Sequence, residues 1–419
     1  MATIAEQILS EKVGRAVTPG EIVKVPIDFA FGHDITLPPA IEEFEKLETD
    51  GVFDPDSVAV IPDHLVPAHS DRAAELYTAC REFAEEYDTL FYPQGNQGQE
   101  HVVIPEDGLV RPGDVMIGAD SHTCTEGALS AFSTGVGSTD LAFAMAFGWL
   151  WFRVPETTRI EYVGEPEPWV TGKDLILETL GELGVDGAVS HALEFGGSVI
   201  EGLPMDERFT VANMAIEAGA ATGIVEPDET TAEFADEHAE GDYALYSAEE
   251  NAEYENRVEI DCEGLEPQVA VPNLPANSVP ISEVQNEGVQ IDQAVIGSCT
   301  NGRERDLRAA AEILDGRSVH DDVRLIITPG SQRLERESIE RGWTTTFLDA
   351  GATMENPGCG ACFGMRTGVL DESEVAVSTT NRNFTGRMGH SESEVYLASP
   401  EVAAASAVAG EIVHPEAVV

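Results

Sequence analysis

The sequence predicts an α/β protein with more than one open-sheet domain. Short β-rich runs, such as 58–61, 115–118 and 294–296, each end in a turn of polar residues and precede a helical stretch. The chain has 419 residues, more than a single hydrophobic core usually serves. Hydrophobic residues make up 42% of it, enough for packed cores despite a formal charge of −54. We therefore expect two or three α/β units.

Each predicted strand leads directly into reactive or turn-forming residues. The run 58–61 leads to Asp63 and His64, and the run 115–118 leads to the polar turn 120–122. The run 294–296 leads to Cys299, and the run 323–327 leads to the Pro329-Gly330 turn. The run 375–377 leads to Asn381 and Arg382. Because ligands of open α/β sheets bind beyond the carboxyl ends of the strands, we expect these side chains to border a shared site.

Two helices are predicted from apolar spacing and end signals. The stretch 173–183 has Thr171 as its expected N-cap and Gly184 as its expected stop. The stretch 304–314 places small and aliphatic residues on one face, namely Leu307, Ala310, Ala311 and Leu314. Its positive N-terminal end is expected near Cys299, where an anionic group would be favoured.

Composition suggests three domains, at 1–160, 161–282 and 283–419. The second would carry a densely acidic, exposed excursion over 226–257. The Pro-rich run 271–280 is predicted to be an extended linker, because proline disfavours helix at its own position and at the residue before it.

The charge excludes several classes of partner. There are 77 Asp and Glu residues against 23 Lys and Arg, and the acidic residues are spread along the chain. So negative a surface is a poor match for nucleic acid or an anionic membrane. It repels itself at low ionic strength and is tolerated where salt screens it, which indicates a halophilic protein.

The sequence also predicts a cytoplasmic protein. Its N-terminal residues lack the basic and apolar regions of a signal peptide. It has no uncharged apolar stretch of the roughly 18 residues that a membrane helix needs. Six cysteines are too few for a disulfide scaffold, and a reducing compartment suits thiolates that hold a metal.

Three cysteines in turn-rich settings form the most informative pattern. Cys359 and Cys362 make a CxxC pair, which is also typical of zinc sites and thioredoxin-type redox sites. The surrounding glycines argue against a redox helix, and the nearest candidates for further zinc ligands, Cys124 and His122, lie far away in sequence. Cys299, at a strand-turn-helix junction, favours a three-cysteine iron-sulfur site, in which one iron without a protein ligand can act as a Lewis acid.

Three histidines lie at predicted strand ends or glycine turns. His64 follows Asp63, and His101 and His122 lie in the segments 98–101 and 120–123. A single histidine is more often structural. Beside an ionised aspartate, however, a histidine can hold a proton for a leaving hydroxyl group.

The segment 381–387 places Arg382 and Arg387 beside a glycine turn in a chain that is poor in cations. Guanidinium groups bind carboxylates in a bidentate manner, so the segment could hold a dicarboxylate. The alternative is an ordinary loop with surface ion pairs.

These segments together resemble a known family. The segments 120–123, 296–301, 357–362 and 381–387 are similar in content, order and spacing to the signature segments of the aconitase superfamily. The resemblance covers essentially the whole chain, and it implies three α/β/α domains of the aconitase iron-sulfur type that lack the mobile swivel domain. Within the family, the chain length and the form of the segment 120–125 resemble the branch of isopropylmalate dehydratase and homoaconitase large subunits.

The resemblance assigns roles to individual residues. It implies one 4Fe-4S cluster per chain, held by Cys299, Cys359 and Cys362. The family's catalytic positions correspond to Asp63, His64, His101, Asp120, Ser121, His122 and Glu217. Contacts to substrate or cluster correspond to Asn213, Asn301, Asn381, Arg382 and Arg387.

The resemblance also implies a reaction and a partner. The reaction would be that of a hydro-lyase interconverting 2- and 3-isopropylmalate in leucine biosynthesis. The family's mobile swivel domain has no counterpart after the cluster region, so a small subunit is expected to supply a catalytic serine and further arginines in a heterodimer. The segment 34–38 departs from the family's citrate-binding pattern, which argues against citrate as the substrate. Homoaconitase, or another hydro-lyase for methyl-substituted malates, is the alternative, because the pocket for the substrate side chain is expected to be lined partly by the small subunit. A non-catalytic metal-binding or RNA-binding protein fits less well, because the charge opposes RNA.

Overall fold

The computed structural model describes residues 2–419, and these form two compact units. Unit 1 comprises the residues up to 163 together with 188–260, and unit 2 comprises 164–187 together with 261–419. The division into three domains stays a prediction. Within the described residues, no helix is both long and apolar enough to cross a membrane.

The β-strands, numbered along the chain, are short. They are β1 (Ile22–Pro26), β2 (Phe29–Gly32), β3 (Val58–Val60), β4 (Leu90–Phe91), β5 (Val115–Gly118), β6 (Phe132–Gly135), β7 (Trp149–Arg153), β8 (Thr157–Val163), β9 (Ala192–Gly196), β10 (Thr222–Val225), β11 (Asn256–Asp261), β12 (Gln268–Ala270), β13 (Ser278–Pro280), β14 (Gln293–Gly297), β15 (Arg324–Thr328), β16 (Thr353–Met354), β17 (Val375–Ser378) and β18 (Glu394–Leu397).

The α-helices between them vary from single turns to a long surface helix. They are α1 (Ile4–Val13), α2 (Leu37–Phe44), α3 (Asp71–Tyr87), α4 (Glu100–Glu106), α5 (Ser138–Phe147), α6 (Gly172–Leu183), α7 (Ser198–Glu201), α8 (Met205–Asn213), α9 (Glu229–His238), α10 (Ile281–Glu287), α11 (Ser298–Asn301), α12 (Glu304–Leu314), α13 (Gln332–Glu340), α14 (Trp343–Ala350) and α15 (Pro400–Ala409).

The main sheet of unit 1 is parallel and has the order β4-β3-β2-β5-β6. Its register pairs Gly32 with Val60 and Phe31 with Gly118, so β2, β3 and β5 end at the same edge. The residues that follow these three ends are therefore brought together, as expected for an open α/β sheet. In the same unit, β8, β9 and β10 form a second parallel arrangement with β11 at its edge, and β1 pairs with β7.

The sheet of unit 2 has the order β13-β12-β18-β17-β14-β15-β16. The strands from β14 to β18 are parallel, and β12 joins them as an antiparallel neighbour. In the central strand β14 every residue is buried, as expected for a strand covered on both faces. The turn after β14 carries Cys299.

The predicted α/β class is confirmed, and so are the seven elements derived from the sequence. The helix after Thr171 begins with a capping box between Thr171 and Asp174 and ends at Gly184. The helix over 304–314 buries the predicted face. The acidic excursion contains α9 and the beginning of β11, and the Pro-rich run ends in β13.

Candidate active site

The Asp63–His64 pair follows the end of β3 in unit 1. Asp63 is fully buried, and its Oδ1 lies 2.5 Å from His64 Nδ1. So short a contact between a carboxyl group and an imidazole fixes the orientation of the ring. It directs the other ring nitrogen, Nε2, away from Asp63, where it can exchange a proton with another group.

Two residues after β2 support this pair. Asp34 accepts hydrogen bonds from the backbone N–H groups of His64, at 3.1 Å, and Leu65, at 2.7 Å. The His33 ring stacks on the His64 ring with centroids 4.0 Å apart. Burial acts to raise the pKa of Asp34, but the two histidines and the Leu65 amide outweigh it and lower that pKa. Burial, followed by the neighbouring His64, lowers the pKa of His33.

His101 lies between two carboxylates in the buried interior of unit 1. Its Nδ1 is 3.1 Å from Glu126 Oε1 and its Nε2 is 3.0 Å from Asp120 Oδ1. Burial acts to lower the pKa of His101, but Glu126 and Asp120 raise it well above the usual value. Burial likewise acts to raise the pKa of Asp120, yet bonds from His101 and His122 hold it well below its usual value. These two carboxylates therefore favour the protonated, imidazolium form of His101.

His122 connects this group to Glu217. Its backbone N–H donates to Asp120 Oδ1 at 2.7 Å, and its ring Nε2 lies 3.0 Å from Glu217 Oε1. Ser121 Oγ lies 3.3 Å from the other ring nitrogen of His122. The ring is thus oriented from both sides.

Asn213, at the end of α8, lies beside the 3₁₀ turn Thr123–Leu129. Its side-chain amide donates to Thr125 Oγ1 at 2.8 Å, and its carbonyl accepts a hydrogen bond from the Cys124 thiol at 3.3 Å. These contacts join α8 to the turn that follows His122.

In unit 2, two glycines bring the cysteine turns close to β15. Gly297, immediately before the turn of Cys299, has φ +133°, and a Cβ there would lie 2.0 Å from the Thr328 carbonyl oxygen. Gly360, in the turn after Cys359, has φ +65°, and a Cβ there would lie 2.6 Å from Thr328 Oγ1. Both turns therefore pack against Thr328 in a way that a larger residue would prevent.

Asn381 joins two of the three cysteines. Its Nδ2 donates to Cys299 Sγ at 3.2 Å, and its Oδ1 lies 3.5 Å from Cys362 Sγ. The guanidinium group of Arg387 lies 3.7 Å from Cys362 Sγ. Cys359 is buried at the start of the short turn that carries Cys362.

Asn301 lies at the end of α11, two residues beyond Cys299. Its Nδ2 donates to Asp306 Oδ1 at 3.1 Å, which fixes the amide against the first turn of α12. The helix predicted to begin near Cys299 is therefore preceded by α11, a single turn that carries the cysteine itself.

Lys173, in the first turn of α6, is a fully buried lysine in unit 2. Its Nζ donates to the carbonyl oxygens of Thr379, at 2.6 Å, and Thr380, at 2.7 Å, and lies 3.4 Å from Asn301 Oδ1. Burial lowers the pKa of Lys173 to about 7, while the thiols of Cys299 and Cys362 act to raise it.

The donor set of unit 2 fits an iron-sulfur cluster. Soft thiol ligands favour iron-sulfur clusters, zinc and copper(I) over hard cations. Cys299 and Cys362 contact the same amide of Asn381, and all three cysteines are buried. Lys173 and Arg387 bring positive charge to their surroundings, which suits a group that carries thiolates.

The sequence indicated most of these residues but missed several supporting ones. His33, Asp34, Glu100, Glu126 and Lys173 had no predicted role. A signal was present for the first two, because His33 and Asp34 directly follow a strand, as Asp63 and His64 do. For the others, the partners are separated by many residues and meet only in the folded chain.

Known proteins resemble this chain over nearly its full length. Residues 6–410 match the model of the Aconitase family (aconitate hydratase). The 3-isopropylmalate dehydratase large subunit 1 of Pyrococcus furiosus is 54% identical over 100% of this chain and 99% of its own. The 3-isopropylmalate dehydratase large subunits of Halothermothrix orenii and Moorella thermoacetica are 52% and 53% identical, with 99% or more of each chain covered.

Among solved structures, the holo-form of Thermococcus kodakaraensis aconitase X is similar in fold. It has a TM-score of 0.52, at 14% identity and with 93% of both chains covered. Fold, full-length relatives and family model agree with the predicted resemblance, and the chain belongs to the aconitase family.

Proposed function

We propose that the chain is the large subunit of a 3-isopropylmalate dehydratase, a hydro-lyase of leucine biosynthesis. It would interconvert 2- and 3-isopropylmalate by removing water and adding it back. The observation that carries the proposal is the identity of 52–54%, over almost the whole of both chains, to large subunits of that name.

Cys299, Cys359 and Cys362 would hold one 4Fe-4S cluster per chain. When bound through three thiolates, such a cluster supplies an open iron that acts as a Lewis acid toward a substrate hydroxyl group. Asn381 would hold two of the thiol groups in place, and the positive charge of Lys173 would offset their negative charge.

The Asp63–His64 pair would donate the proton that leaves with the hydroxyl group. The carboxyl group of Asp63 fixes the His64 ring through the 2.5 Å contact, so that Nε2 can present a proton at a constant position. The polar wall of the site would be formed by His101, Asp120, Ser121, His122 and Glu217. In this wall the histidines and the carboxylates would offset each other's charge. Arg382 and Arg387 would bind substrate carboxylates.

A small subunit would complete the site. The relatives named above are called large subunits, which implies a smaller partner chain. We propose that this partner supplies the serine that removes the carbon-bound proton, together with further arginines that bind substrate.

Activity is expected only when this chain, loaded anaerobically with iron and sulfide, is combined with its small subunit. About four irons per chain should bind. Cys362→Ser should lose iron and activity, whereas Cys80→Ser, which alters a buried thiol of unit 1, should retain both. Isopropylmalate should be turned over far faster than homocitrate. Turnover by the isolated chain, or stoichiometric zinc in colourless active protein, would contradict the proposal.

The acidic surface is proposed to be an adaptation to a salt-rich cytoplasm. With 77 acidic against 23 basic residues, the folded state should be stabilised as salt screens self-repulsion. The melting temperature should rise between 0.1 M and 2 M KCl. Most of the rise should occur below about 1 M, where the Debye length has already shrunk to roughly 3 Å. A melting temperature in 0.1 M KCl that equals or exceeds the melting temperature in 2 M KCl would refute this adaptation.

A further inference from the structure

Two carboxyl groups, those of Asp63 and Glu100, meet in the buried interior of unit 1. Asp63 follows β3 and Glu100 is the first residue of α4, and both side chains are fully buried. Asp63 Oδ1 contacts His64, but no donor within residues 2–419 makes a hydrogen bond to Asp63 Oδ2 or to either oxygen of Glu100; the nearest histidine nitrogen, His101 Nε2, lies 3.8 Å from Glu100 Oε1. Two carboxylates can only accept hydrogen bonds, so they can bond to each other only when one of them carries a proton.

The surroundings of this pair already hold several charges. Side-chain nitrogen or oxygen atoms of His33, His64, Glu100 and Asp120 lie within 4.8 Å of one another. The ionisable groups that face the pair come from each neighbouring element: His33 and Asp34 after β2, His64 after β3, His101 on α4, Asp120 after β5, and Glu126 in the turn Thr123–Leu129. Asp34 and Asp120 are anionic, and His101 is balanced by Glu126 and Asp120.

Ionising both Asp63 and Glu100 beside these carboxylates is therefore unfavourable. Burial first, and then the charge of Asp63, raise the pKa of Glu100 well above its usual value. Burial raises the pKa of Asp63 to about 8; the contact with Glu100 acts to lower it, and the charges of Asp34 and Asp120 act to raise it. Near neutral pH the two groups are therefore favoured to titrate as a coupled pair that retains at least one proton.

We propose that Glu100 is a positioning residue for the Asp63–His64 pair: it shares one proton with Asp63 Oδ2 and thereby holds Asp63 Oδ1 against the His64 ring. This inference rests on the proposed function, because proton donation by the Asp63–His64 pair is part of that function. It adds a residue to which the family resemblance gave no role. Glu100 itself would touch neither substrate nor cluster.

Two substitutions of Glu100 distinguish the effect of its hydrogen bond to Asp63 from the effect of its side-chain volume. In Glu100→Gln the amide can still donate to Asp63 Oδ2, so kcat at pH 7 should stay within about threefold of wild type. In Glu100→Leu a buried oxygen loses its donor, and kcat should fall by roughly tenfold to a hundredfold with little change in KM. Because the amide cannot ionise, the alkaline fall of kcat/KM should move to higher pH in Glu100→Gln. Glu82→Gln, on the exposed surface of α3, is the matched control and should behave as wild type.

Two further measurements do not depend on turnover. Infrared spectra at pH 7 should contain a carbonyl band of protonated carboxylic acids that loses intensity or shifts in Glu100→Gln. The folded-state pKa of Glu100 is raised, so wild type should lose stability relative to Glu100→Gln as the pH rises above about 4.3, the unfolded value. The matched control should show neither difference.

These measurements also separate the inference from the proposed function. An infrared band that is unchanged in Glu100→Gln, or equal losses of kcat in the Gln and Leu variants, would overturn the role of Glu100. A weakened or shifted band in a protein that never turns over isopropylmalate would support the shared proton and instead refute the proposed reaction.

Discussion

Lys173→Met is expected to give a folded chain that retains little iron and has less than about one hundredth of the wild-type activity. The Nζ of Lys173 bonds to the carbonyl groups of Thr379 and Thr380, the two residues before Asn381. It also lies 3.4 Å from Asn301 Oδ1. Methionine fills a similar volume but leaves these buried acceptors without their donor, at a cost of about 1–3 kcal/mol each.

The expected loss has an electrostatic part as well. Lys173 interacts electrostatically with Cys299 and Cys362, and when these are thiolates their charge favours the protonated amine, so its removal leaves the thiolates less compensated. Asn381, which contacts both thiol groups, would also lose its fixed backbone.

The measurement is iron content per chain after anaerobic reconstitution, together with the melting temperature. Lys46→Met, on an exposed lysine beside Glu43, is the matched control and should retain both iron and activity. If Lys173→Met binds iron as tightly as wild type, then the link from α6 to the cysteine turns has no role in holding the cluster.

The sequence predicted the parts of the site that are local along the chain. Asp63 and His64 are neighbours, so their 2.5 Å contact requires only the turn after a strand. The CxxC spacing likewise predicted a shared environment for Cys359 and Cys362. The strand ends were predictable because apolar runs stop abruptly at polar residues in a parallel sheet.

Contacts between distant segments could not be predicted in this way. Lys173 was expected only as the start of a helix, and its partner Thr380 lies 207 residues away. Nothing in the sequence indicated that Glu126 faces His101, because the two residues are 25 positions apart and strand β5 lies between their elements. Such buried polar groups depend on tertiary packing, which a one-dimensional pattern of apolar residues does not encode.

His101→Gln is expected to destabilise unit 1 by about 3–5 kcal/mol and to lower activity by roughly a hundredfold or more. The imidazolium lies between Glu126 and Asp120, at 3.1 Å and 3.0 Å. Glutamine can donate to one of these carboxylates but carries no charge. The other carboxylate is then left buried without a cation, which is the costly half of breaking a buried ion pair.

The pH dependence of this loss has a definite sign. The folded-state pKa of His101 lies well above the ordinary value of about 6.5, so its stabilisation is complete below that value and is lost as the pH rises through the folded-state pKa. The difference in melting temperature between wild type and His101→Gln should therefore be largest near pH 6 and shrink in alkaline solution. His69→Gln, at an exposed position, should show no such trend. A difference that stays constant from pH 6 to pH 10 would mean that His101 is neutral, and that Glu126 or Asp120 carries the proton instead.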